Sequence, residues 1–113
     1  METGAREIVW IKAARKAFSK FPLQAQDRIN TALRIAAVGQ KADITKPMKG
    51  LGSGIFEIAL AYRSDAFRTI YAVNIGDQLV VVHAFQKKSK SGIKTPQSEI
   101  DLVRDRISRL RRS

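Results

Sequence analysis

Hydrophobic positions recur with two periods along this chain. In the third quarter the period is two. Phe56, Ile58, Leu60 and Tyr62 alternate with Glu57, Ala59 and Ala61, the pattern of a strand with unlike faces. After Arg63-Ser64-Asp65, Phe67, Thr69, Tyr71 and Val73 share one face, opposite Arg68, Ile70 and Ala72. Gly76-Asp77 marks the next turn. The run Leu79 to Phe85 is apolar on both faces, which predicts a central strand. Glu7 to Ile11 reads as a further short strand at the start of the chain.

Elsewhere the period is helical. Ala14, Ala17, Phe18 and Phe21 recur at that spacing. Pro22 opens a second helix, because its missing N–H is not needed in the first turn. Ile29, Ala32, Leu33, Ala36 and Ala37 form the apolar stripe of that helix, and Gly39 can adopt the left-handed conformation that ends it. The two helices should form a hairpin. Residues 40–54, with Pro47, Gly50, Gly52 and Gly54, read as a linker, and residues 89–95 as a Ser/Gly/Lys loop. Thr95 is expected to cap a last helix with Pro96 in its first position. Ile100, Val103, Ile107 and Leu110 give that helix a narrow seam, and Glu99 and Asp101 complement its positive end.

These elements predict one α+β domain over residues 1–113, in the order β-α-α-β-β-β-α. The expected architecture is a mostly antiparallel four-stranded sheet. The helical hairpin covers one face, and part of the other stays open, bearing Glu57 and Arg68. Residues 1–5 look like a frayed start.

Composition narrows the chemistry. The 113 residues are 44% hydrophobic, enough for a folded core without staples. The chain has no cysteine, which excludes disulfides, thiolate metal sites and cysteine nucleophiles. A single histidine excludes a histidine-rich metal site. No apolar run approaches the ~20 residues of a membrane span. The start of the chain lacks a signal-peptide pattern, so the expectation is a cytoplasmic protein with no membrane partner. The net charge is +11. Much of the excess gathers at Lys87 to Lys94 and Arg104 to Arg112, which makes nucleic acid the first partner to consider. An acidic protein partner is the other way to mask it.

Five segments then occur in order. They are Met48-Lys49-Gly50-Leu51, Phe56-Glu57-Ile58, Phe67-Arg68-Thr69-Ile70-Tyr71, Phe85-Gln86-Lys87-Lys88 and Lys94-Thr95-Pro96-Gln97-Ser98-Glu99-Ile100. Together they resemble the RelE/ParE toxin superfamily and, within it, the phage-derived HigB-like branch, over about Glu7 to Arg109. The resemblance implies a RelE-like fold and a growth-arresting toxin of a type II toxin–antitoxin system. It implies a small basic endoribonuclease that cleaves messenger RNA, usually on the ribosome, by attack of the 2′-hydroxyl on the adjacent phosphate. No metal or other cofactor is implied. The implied partners are messenger RNA, the ribosome and a cognate antitoxin, often a helix-turn-helix protein, in a heteromeric complex. Two alternatives keep the fold: a ParE-like inhibitor of DNA gyrase that is not a nuclease, and an inactive relative that binds antitoxin and operator DNA.

The resemblance also points to residues. Arg68 matches a strand arginine that contacts the scissile phosphate, and a guanidinium on a strand is a rigid fork for phosphate oxygens. Paired across the sheet with Glu57, it could equally be a structural ion pair. Lys87 and Lys88 match the basic end of the last strand. Alternation sends them to opposite faces, so one of them is expected at the site. Lys49 matches a basic residue in the loop before the alternating strand. Lys49, Arg63, Lys90 and Lys94 are the expected RNA-binding cations. The strand lysines proposed to activate the 2′-hydroxyl are replaced here by Glu57 and Ala59, and residues 86–113 contain no aromatic side chain. The proton acceptor therefore falls to Glu57 or to His83, whose ordinary pKa suits proton transfer near neutrality. A lone histidine in an apolar strand is otherwise a packed core residue. Base stacking by Tyr62 or Phe85 is a further expectation.

Overall fold

The computed structural model describes residues 4–88 and 94–112, with the Lys88 side chain outside the description. The expectations for Lys90, for most of the 89–95 loop and for the first three residues of the chain lie outside the described residues. The elements are β1 (Ile8–Trp10), α1 (Lys12–Phe18), α2 (Leu23–Ala37), β2 (Thr45–Pro47), β3 (Ile55–Tyr62), β4 (Asp65–Ile75), β5 (Gln78–Lys88) and α3 (Gln97–Arg112). Among them no helix is long and apolar enough to cross a membrane.

The α+β class and the element order match the sequence reading, with one correction. The sheet has five strands, ordered β1-β5-β4-β3-β2, and it is mixed. The extra strand, β2, arises inside the stretch read as a linker. It pairs antiparallel with β3 through Thr45↔Ile58 and Pro47↔Phe56. Three residues ending in proline carry no periodic signal, and proline is tolerated there because β2 is an edge. β1 lies parallel to β5, Ile8 opposite Leu79 and Trp10 opposite Val81. β3, β4 and β5 form the antiparallel meander.

Each face of the sheet carries its own core. The helical hairpin packs Ala25, Ile29, Ala32, Leu33 and Ala36 against Ile58, Leu60, Phe67, Tyr71, Leu79 and Val81. The alanines of α2 let that helix approach the sheet closely. A run of aromatic contacts ties the elements together: Trp10–Phe18 at 4.8 Å, Phe18–Phe21 at 5.5 Å and Phe21–Phe67 at 4.9 Å between ring centroids. On the opposite face α3 buries Val103 and Ile107 against Ile55, Ile70, Ala72, Val80 and Val82. The second face is therefore not open as the sequence suggested. The α3 seam at Ile100, Val103, Ile107 and Leu110 needed a partner, and the hairpin had already taken the other side of the sheet.

Candidate functional site

The α3 face carries the charged residues in an ordered grid set by strand register. Glu57, Ile70 and His83 form one rank across β3, β4 and β5. Ala59, Arg68 and Phe85 form the next, and Ala61, Ala66 and Lys87 the third. His83 joins this face because of a β-bulge. Ile70 pairs with His83 but Tyr71 pairs with Val81, so Val82 is an extra residue in β5. The extra residue resets the alternation, and the imidazole turns towards α3 rather than into the hairpin core. Without it, His83 would share the face of Val81.

Arg68 and Glu57 are 4% and 2% exposed. Arg68 Nη1 donates to Glu57 Oε2 at 3.1 Å. The Thr95 hydroxyl donates to the same carboxylate oxygen at 2.5 Å and accepts from Arg68 Nη1 at 3.1 Å. Thr95 thus closes the ion pair instead of capping α3 with its side chain. The Pro96 carbonyl takes the first helical bonds, from Glu99 and Ile100. Two charges buried this deeply persist only when paired and hydrogen-bonded.

A second cluster adjoins the first. His83 Nε2 lies 2.6 Å from Glu99 Oε1, and Arg106 Nη1 lies 3.2 Å from His83 Nδ1 while donating to the Val82 carbonyl at 2.8 Å. An arginine can only donate, so the ring nitrogen facing it accepts. The network therefore fits the neutral imidazole with its proton on Nε2, aimed at Glu99. The Phe85 ring stacks on His83 at 5.2 Å, which occupies the face offered for base stacking. Both hydrogen-bond partners of His83 belong to α3, as the Thr95 clasp belongs to the residues just before it.

Lys87 Nζ donates to the Lys94 carbonyl at 2.6 Å, beside Thr95. Of the two lysines that end β5, Lys87 is the one on the α3 face. Lys88 pairs with Asp65 through the backbone. Arg63 sits at the same end of the sheet, in a two-residue turn with φ of 52° at Arg63 and 71° at Ser64. Its guanidinium lies over the Tyr62 ring at 5.4 Å. Lys49 is exposed in the loop before β3, at the other end of α3. The structure thus brings Arg68, Glu57, His83 and Lys87 together, joins Lys94 to them through its carbonyl, and sets Lys49 apart.

Thr95, Glu99 and Arg106 were not read as site residues. A signal existed for the last two. Glu99, Val103, Arg106 and Leu110 fall at spacings of four, three and four, so two charged residues lie on a stripe that should be buried. Among the described residues no group of three or more histidine or acidic side chains is arranged to hold a metal ion.

Comparison with known proteins agrees with this architecture. Residues 16–108 match the family described as phage-derived protein Gp49-like. No curated protein matches the sequence significantly. A solved structure of a mutant E. coli toxin RelE in the free state superposes with a TM-score of 0.63 at 15% identity, covering 93% of this chain and 97% of that one. The isolated E. coli RelE toxin in another crystal superposes with a TM-score of 0.59 at 15% identity, covering 89% and 99%. At that identity the likeness is one of fold. The chain belongs to the Gp49-like family of phage-derived proteins, built on the RelE fold.

Proposed function

We propose that this protein is the toxin of a type II toxin–antitoxin pair and an endoribonuclease that cuts messenger RNA on the ribosome. The observation that carries this reading is the grid: an arginine, a histidine and a lysine on adjacent ranks of one rigid face, in a chain with the RelE fold. Its expected neutraliser is a cognate antitoxin, of the helix-turn-helix kind, that binds over this face or beside α3.

The chemistry follows from the residues. The RNA 2′-hydroxyl gives its proton to His83, and the oxygen attacks phosphorus. Charge builds on the phosphorane, where Arg68 and Lys87 offer cationic donors. The 5′-oxygen leaves and takes a proton from water, while His83 returns its proton to solvent, giving a 2′,3′-cyclic phosphate and a 5′-hydroxyl. Glu57 is the weaker candidate for the base, because its carboxylate is already engaged by Arg68 and Thr95. It acts as a positioning residue that holds Arg68. Turnover requires the start of α3 to lift. That one movement withdraws Thr95 from Arg68 and Glu99 from His83, exposing both groups together.

Expression of the chain alone in bacteria should arrest growth and shorten transcripts, and chelators should not protect the message. Arg68→Lys keeps a charge opposite Glu57 but loses the guanidinium fork. His83→Gln removes the proton acceptor. Each should slow cleavage by ~100-fold or more while the protein stays folded. Normal growth with intact transcripts would remove the proposal. The deep burial of both Arg68 and Glu57 favours a second reading, in which the pair is structural and the protein is a ParE-like gyrase inhibitor or an inactive antitoxin-binding relative. Inhibited supercoiling with intact message, insensitive to Arg68→Lys, would select it.

A further inference from the structure

The cleft at the far end of α3 is lined by Gly50, Leu51, Arg104, Ile107, Ser108 and Arg111, with Arg112 beside it, and has a volume of about 400 Å³. Its floor is apolar, because Leu51 and Ile107 are anchored in the core beneath α3. Its rim is cationic, and among the described residues no acidic side chain lines it. Arg104, Ser108 and Arg111 are spaced i, i+4, i+7, so one flank of α3 presents them all to the loop before β3. Gly52 has φ +89°, and the Arg111 guanidinium nitrogens lie 4.0 Å from where a Cβ would stand. Gly52 therefore leaves bare backbone beneath that guanidinium. Arg104 is paired with Asp101 at 3.0 Å, whereas neither Arg111 nor Arg112 makes an ion pair with a described residue. Lys49 precedes Gly50 and adds a fourth cation at the lip.

Gathered guanidinium groups repel one another unless an anion lies among them, so the cleft favours a ligand with closely spaced negative charges. We infer that it is a second contact for single-stranded RNA, gripping the sugar-phosphate chain beyond the point of cleavage. This rests on the nuclease reading above. The distance suits it: Glu99 at the candidate site and Arg111 at the cleft are about 18 Å apart along the helix, at 1.5 Å per residue. No described aromatic side chain lines the cleft, so it offers bases no stacking platform. Its contacts with RNA are to phosphate and ribose, and they set the position of the strand without reading its sequence. The apolar floor accepts a ribose.

The test is fluorescence anisotropy with labelled oligouridine and oligoadenosine across a salt series. Arg104→Gln/Arg111→Gln/Arg112→Gln should weaken binding of both RNAs alike, by about tenfold or more at low salt. The slope of log affinity against log salt should shrink by about 2, since each single-strand phosphate that the protein neutralises adds ~0.7 to it. The matching triple lysine variant should retain most of the affinity. Lys12→Gln/Lys16→Gln/Lys20→Gln, in and just after α1, removes the same charge elsewhere and should change the slope by much less. Thermal unfolding of each variant checks that the fold is retained. Equal losses from the α1 and α3 variants would overturn the inference, since binding would then follow net charge alone. So would an unchanged slope in the α3 variant while wild type binds RNA. Loss of binding to polyglutamate with RNA binding intact would overturn it as well, and would assign the cleft to an acidic protein. Failure of the wild-type protein to bind either RNA would instead remove the nuclease reading itself.

Discussion

The two faces of this sheet are buried by opposite means. The hairpin face is stabilised by apolar volume: Phe67, Tyr71, Ile58 and Leu60 lie under α2, and aromatic rings lock α1 to the strands. The α3 face buries two clusters of charge, Glu57–Arg68–Thr95 and His83–Glu99–Arg106, each tied together by hydrogen bonds. The hairpin face buries neutral hydroxyls instead. Thr45 and Thr69 flank Ile58 in one rank, and their buried hydroxyls have no hydrogen-bond partner among the described residues. One face is a scaffold that needs only to fill space. The other pays desolvation to keep ionisable groups aligned and closed off.

The largest test of that contrast uses two neighbours on β4. Phe67→Ala should cost about 3–5 kcal/mol by urea unfolding, and no second truncation should return it, because the loss is volume. Arg68→Ala should cost a similar ~3–5 kcal/mol for a different reason, an abandoned buried carboxylate. The double variant Arg68→Met/Glu57→Leu should therefore recover most of that loss. If it recovers nothing, the α3 face is held by packing like its opposite.

Much of the hairpin face was legible in the sequence, and less of the α3 face was. The alternation from Phe56 to Tyr62 and from Phe67 to Val73 revealed both strands and their inward residues. The stripe on α2 revealed their cover. The β5 run is apolar on both sides, so it carried no phase, and the bulge at Val82 that redirects His83 was invisible. The Glu57–Arg68 pairing was legible from their shared face, and it runs diagonally between adjacent ranks, but its burial was not legible. The α3 seam says that the helix packs somewhere, not where. Thr95 looked like a cap because threonine before proline at a helix start usually is one.

Alkaline titration sharpens the comparison on the apolar side. Burial pushes the Tyr71 phenol up from 10.0 to about 12. The folded state therefore holds this proton more tightly than the unfolded chain. Its contribution is fully present below pH 10 and is lost as the pH rises towards 12. Tyr71→Phe should abolish that part of the decline, measured as unfolding midpoint against pH. A Tyr71 tyrosinate signal near pH 10 would mean that the hairpin face admits water. A smaller effect is expected from Thr69→Val, which fills the same space without an unpaired hydroxyl and should raise stability by about 1 kcal/mol. A loss of that size would reveal a hydrogen-bond partner for the hydroxyl.

The proposed role of the α3 face is tested most directly by the ends of the RNA it cuts. Ribosome-bound message treated with the purified protein, with a chelator present, should yield fragments ending in a 2′,3′-cyclic phosphate and starting with a 5′-hydroxyl, and Arg68→Lys should nearly abolish them. Fragments ending in a free 3′-hydroxyl, or message left whole by a protein that still arrests growth, would contradict the account.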